Sequence, residues 1–333
     1  MHHDTLHDLH IGTRDTRRDA RGAARVFALF AASVLAAAAL SACTKKEAPT
    51  EKTMTVEEAE YRSEERMWRM QREAALTAPD GWTSLVGLHW LSLKAHYVGS
   101  SERSGIRLMF GPPSLGMFET VGDKVYLLPE PGVALTLDDQ PLKGRVELKD
   151  DSQGAPSVVG FDDGKGKLTV IARGGRHALR VKHADSPTRL KFANLDYWDP
   201  DQNWRIHAKF VPHPPGTTLQ IGTIIGTVEN MANPGALQFQ RDGKSYTIEA
   251  LDEGGEGLSL IIADRTSGHE TYGAGRYLDV SRPDASGNVT IDFNRAYNPP
   301  CAFTSFATCP LPPNQNRLDL AITAGEKKYT GPH

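Results

Sequence analysis

The stretch Ala236-Leu-Gln-Phe-Gln-Arg-Asp-Gly-Lys-Ser-Tyr-Thr-Ile-Glu249 alternates apolar and polar side chains on both sides of Asp242-Gly243. Leu237, Phe239, Tyr246 and Ile248 fall on one face of a pleated pair, and Asp-Gly is the dipeptide that a two-residue hairpin turn prefers, because both of its central residues take positive φ. The stretch is therefore expected to form an antiparallel hairpin. Similar runs lie on either side: 205–211 and 218–222 before it, and 257–262, 288–292 and 317–322 after it, with Ala285-Ser-Gly-Asn288 expected to make a second hairpin turn.

Further toward the N-terminus the runs 106–110, 124–128, 133–137, 167–171 and 177–181 follow the same rule, and the apolar run 82–93 is expected to be buried. They are separated by turn chemistry such as Gly111-Pro-Pro113, Pro129-Glu-Pro-Gly132 and Asp162-Asp-Gly164. Strands at this spacing with no helix between them predict a mainly β protein built as sandwiches or barrel-like sheets. One exception precedes them. Residues 56–76 are rich in charge but carry Tyr61, Met67, Trp68, Met70 and Ala74 at roughly helical spacing, which predicts one amphipathic helix ending before Pro79-Asp-Gly81. The expected organisation is an N-terminal helix followed by two antiparallel β-rich subdomains, 55–190 and 191–328.

Residues 1–42 read as an address. Arg14, Arg17, Arg18, Arg21 and Arg25 precede an apolar run from Val26 to Leu40, too short to span a bilayer comfortably and followed by small residues. Leu40-Ser-Ala-Cys43 resembles a bacterial lipobox, which implies lipidation at Cys43 and, with Thr44 rather than an aspartate after it, retention at the outer rather than the inner membrane. Residues 43–54 are then a tether. A periplasmic address leaves Cys301 and Cys309 as an even pair in an oxidising compartment, where a disulfide is expected, with two buried thiols as the alternative. The chain has 333 residues, 39% of them hydrophobic, and a formal charge of -3, so it is able to bury a full core and has no bias toward nucleic acid.

The part of the chain that ordinary core packing explains least runs from Asp264 to Leu318, where polar, glycine, proline and aromatic residues interleave. Its segments Thr266-Ser-Gly268, Glu270-Thr-Tyr-Gly-Ala-Gly-Arg276, Asp292-Phe-Asn-Arg-Ala-Tyr-Asn-Pro-Pro-Cys-Ala-Phe303, Cys309-Pro-Leu-Pro-Pro313 and Asn316-Arg-Leu318 resemble the bacterial family catalogued as domain of unknown function 1684. That resemblance strengthens the β-rich expectation and implies no activity. The first β block distantly resembles a forkhead-associated sandwich. It lacks the phosphopeptide-reading residues: Ser100 follows Gly99 where an arginine is usual, and Met117 stands where a histidine is usual.

Carboxylates and guanidiniums on strand-flanking loops hold polar or anionic ligands bidentately, and paired carboxylates also perform acid and base work. On this basis Asp264, Glu270, Tyr272, Arg276, Asp292, Asn294 and Arg295 form the candidate ligand-binding set, expected to converge on one cleft of the second subdomain. Three readings of the set stand open: loops locked by arginine–carboxylate pairs, a pocket for a small polar or anionic ligand, and a hydrolase using paired carboxylates on an envelope substrate. No cofactor and no metal are expected, since His89, His207, His213 and His269 do not fall at ligand spacing. The expected partners are the membrane, through Cys43, and a small ligand.

Overall fold

The computed structural model describes residues 54–333. The signal segment, Cys43 and all but the last residue of the tether lie outside the described residues. The protein is mainly β, with an N-terminal helix and three sheets that are antiparallel except where Ala95–Gly99 pairs in parallel with Ile106–Arg107.

The helix runs over Val56–Leu76. The side chain of Thr55 accepts a hydrogen bond from Glu58 N at 3.1 Å, and Glu57 and Glu58 place negative charge beside the free N–H groups of the first turn. Its buried stripe differs from the sequence expectation. Tyr61, Glu65 and Leu76 are buried and Arg69 and Arg72 half-buried at spacings of three to four, while Met67 and Met70 are 53% and 65% exposed. The surface it packs against explains the difference: this surface offers Arg295, the Glu326 carboxylate and the carbonyls of Trp198 and Asn298, so charged side chains face inward.

Two sheets share one core in the first β block. The six-stranded sheet has the order 85–90, 176–183, 166–173, 159–161, 136–137, 140–141, and the five-stranded sheet the order 106–107, 95–99, 116–121, 124–129, 146–148. Phe118 and Leu127 from one meet Leu168, Leu179 and Val181 from the other. Because strands alternate, the opposite face of the hairpin 166–183 carries Arg173 and Arg180 outward.

The seven-stranded sheet runs 276–281, 257–262, 244–252, 228–241, 205–212, 288–292, with 218–222 paired to 228–241. The expected 241–244 turn forms with Asp242 at φ 50° and Gly243 at φ 75°, and Arg241 opposite Lys244. The sheet curls until its end strands share a core with Leu237, Leu260 and Phe293. Two expectations need correction. The turn near Gly287 does not join its flanking strands as a hairpin, since 288–292 pairs with Arg205–Lys209 and 276–281 with 257–262. Residues 317–322 bury Leu318, Leu320 and Ile322 but form no ladder: Leu318 N and Arg265 N make single backbone bonds at the sheet's end, to Ala263 O and Leu320 O.

Candidate functional site

Of the seven residues singled out by the sequence, five fall into two separate networks, Asp264 with Arg276 in one and Asp292, Asn294 and Arg295 in the other. In the first, Arg276 Nη2 donates to Asp264 Oδ2 at 2.8 Å and to Ile322 O at 3.0 Å, and Nη1 donates to the carbonyls of Ala324 and Glu326. Both side chains of this pair are 1% exposed. Burial lowers the pKa of Arg276, and the Asp264 carboxylate opposes that shift. Asp264 Oδ1 also accepts from Thr266 N at 2.7 Å and from its hydroxyl. Gly275 completes the turn at φ 92°, where a Cβ would meet the Ile262 carbonyl and the Pro312 ring.

In the second network, Asp292 accepts from Tyr61 Oη at 3.0 Å and from Asn294 Nδ2 at 2.9 Å, and fully buried Asn294 bonds both N and O of Asp201. Arg295 Nε donates to Glu65 Oε1 at 2.6 Å. Burial raises the pKa of Glu65, with Arg295 opposing, and Glu65 Oε2 has no partner. Tyr272 Oη donates to Cys301 O at 3.1 Å, and Glu270 is exposed outside both networks. Among the described residues no side-chain hydrogen bond joins the two networks. Each carboxylate and guanidinium in them is met by protein, so they hold the tail 293–326 onto the sheet and onto the helix.

An open cleft of about 680 Å³ lies elsewhere, between the outer faces of the six-stranded and seven-stranded sheets. Strand alternation builds it. Leu258, Leu260, Leu278 and Val280 point into the core, so Ser259, Ile261, Tyr277 and Asp279 point the other way and line the cleft. Arg173 and Arg180 come from the facing sheet, and Trp68 and Arg72 from the helix. The disulfide between Cys301 and Cys309, with Cα atoms 6.2 Å apart, holds the adjoining loop, whose Thr308, Cys309 and Pro310 complete the wall.

The charges of this cleft are incompletely matched. Arg72 pairs with buried Glu326 at 2.9 Å, and Arg173 pairs with Asp151 at 2.9 Å and Glu229 at 3.4 Å. Arg180 has no carboxylate in contact. Its Nη2 reaches Thr308 Oγ1 at 3.3 Å and its Nε has no partner. Burial lowers its pKa, Arg173 lowers it further and Asp151 acts in the opposite sense. On the sheet floor, Asp279 accepts from Tyr297 Oη at 3.0 Å and from Ser259 Oγ at 3.3 Å. Glu253 is exposed at the cleft lining, and crowding by protein and then the Asp279 charge raise its pKa. Tyr277 and Tyr297 stay protonated, each pushed up first by burial.

Sequence reasoning missed Glu253 and Asp279, and it weighed Arg180, with the Arg173-Gly-Gly-Arg176 turn, as an anion cradle but preferred a hairpin with solvated arginines. The readable signal was a charged residue at an outward position of an otherwise apolar strand, Asp279 in Tyr-Leu-Asp-Val and Arg180 in Ala-Leu-Arg-Val. Among the described residues no three histidine, cysteine, aspartate or glutamate side chains gather as a metal site, and no helix is long and apolar enough to cross a membrane.

No curated protein matches the chain. It is 31% identical to the uncharacterized protein from gene locus rrnAC0354 of Haloarcula marismortui, known from a solution NMR structure. That match covers 41% of this chain and 77% of the other, with a TM-score of 0.35. The model of one family, described as Protein of unknown function (DUF1684), matches residues 190–327, the part that holds the seven-stranded sheet, the Arg276 network and all of the second network except its helix residues Tyr61 and Glu65.

Proposed function

We propose that the protein binds a small anionic ligand in the cleft between the two sheets, and that it does so in the cell envelope, anchored through Cys43 to the outer membrane. The observation that carries the ligand reading is Arg180, a desolvated guanidinium with an unpartnered Nε and no carboxylate in contact. A buried donor left without an acceptor costs free energy that an anion would recover, and the Nε/Nη fork suits a planar carboxylate. The volume suits a small molecule, and Trp68, Trp82, Tyr277 and Tyr297 supply the apolar walls such sites use. The envelope reading rests on the arginine-rich apolar leader and on Leu40-Ser-Ala-Cys43. Thermal denaturation with phosphate or succinate tests the ligand reading: at 100 times Kd a ligand stabilises by about 2.7 kcal/mol. Stabilisation of the protein that disappears in Arg180→Gln is the expected result; an equal effect in both, or none with either anion, overturns it.

One observation favours a second reading, hydrolysis. Glu253, its pKa raised first by desolvation and then by the Asp279 charge, lines the cleft with Asp279, which accepts from Ser259 and Tyr297, and a pair of carboxylates is the arrangement used for acid and base roles. Turnover of an ester, glycoside or peptide that is lost in Glu253→Gln while binding persists would establish it.

A further inference from the structure

We propose that the ligand of this cleft is a short peptide-like zwitterion, with its carboxylate on Arg180 and its ammonium between Glu253 and Asp279. This deepens the reading of the cleft as an anion site and rests on it. Once Arg72 and Arg173 have their carboxylate partners, the charged side chains lining the cleft without an ion pair are Arg180, Glu253 and Asp279. Cation and carboxylates line one cavity yet make no ion pair with each other. The strands forbid their collapse. Arg180 is fixed on the six-stranded sheet and leans on Thr308, while Asp279 is fixed on the seven-stranded sheet by Ser259 and Tyr297.

Such a separated pair of opposite poles is satisfied by a ligand with its charges in the reverse order. The Arg180 guanidinium, which lines the cleft with no carboxylate of its own, receives a carboxylate, and an ammonium with three donors reaches two carboxylates that already share Ser259 as a neighbour. The cleft as a whole, about 680 Å³ and walled in part by tryptophan and tyrosine, exceeds what a single amino acid fills and accepts a short apolar backbone.

Calorimetric titration with trialanine, N-acetyl-trialanine and trialanine amide tests this, with succinate as the anion control. Trialanine is expected to bind, and removal of either charge is expected to weaken it at least tenfold. The penalty for acetylation is expected to vanish in Asp279→Asn and in the Glu253→Gln/Asp279→Asn double variant, and the penalty for amidation in Arg180→Gln. Equal binding of trialanine and its N-acetyl form, or binding of succinate without trialanine, overturns the zwitterion while leaving the anion site standing. Failure of trialanine and succinate alike overturns both.

Discussion

Arg276 donates to Asp264 at 2.8 Å from a position where neither side chain retains more than 1% exposure, and the rest of its guanidinium is spent on the carbonyls of Ile322, Ala324 and Glu326. One arginine thus ties the strand 276–281 and the 264 loop to the C-terminal tail. Removing one member leaves the other charged and buried, which costs about 3–5 kcal/mol. Asp264→Ala and Arg276→Leu are expected to lower stability by that order in urea denaturation. A loss under about 1 kcal/mol would show that water or local rearrangement compensates the orphaned charge.

Glu65 allows a signed test of burial against pairing. Burial raises its folded pKa above the ordinary 4.5 and Arg295 pulls it down, with burial the larger effect. Below 4.5 the group is protonated folded and unfolded; as pH rises from there to the folded value, the unfolded chain releases the proton first and stability falls. Glu65→Gln removes that fall. The variant's deficit, from losing the Arg295 contact, is therefore expected to shrink between pH 4 and pH 8 in denaturation midpoints. A deficit that grows with pH would mean that Arg295 dominates instead.

The Cys301–Cys309 disulfide closes a loop with a sequence separation of 8 at the wall of the cleft. By the loop-entropy account, its removal in Cys301→Ser/Cys309→Ser is expected to cost about 2.5 kcal/mol. Anion binding at Arg180 is expected to weaken with it, because Thr308, the one side chain that Arg180 contacts by hydrogen bond, sits in that loop. Calorimetry on the double variant checks both effects; unchanged stability together with unchanged affinity would remove the loop from the account.

Cys43→Ala is expected to move the protein from the membrane fraction to the soluble or unprocessed fraction. Fractionation that does not change would rule out the lipid anchor.

The sheets were legible where one face is apolar and the turn chemistry is explicit. At 236–249 both conditions hold, and the hairpin follows register by register. At 284–288 a sound turn signal misled, because a turn shows only that the chain reverses and not which strand its product will pair with. Residues 317–322 alternate as a strand does because their neighbours bury every second side chain, with no sheet partner required. The helix hid its buried stripe because its partner surface is polar, so Glu65 and Arg72 point inward where hydropathy assigns Met67 and Met70. For the site, the conspicuous motifs marked scaffolding. A buried polar network needs many specific residues close together in sequence, whereas a cleft between two sheets takes single residues from distant strands, and Arg180 and Asp279 each show only as one charged residue in an otherwise apolar strand.

Arg180 stands at the centre of the cleft's function as its anion-holding group. Anomalous diffraction from crystals of the protein soaked in selenate measures this directly. The account predicts a selenium peak against the Arg180 guanidinium that is absent from Arg180→Gln crystals. No peak in the cleft, with Arg180 instead turned onto Asp151, would contradict it.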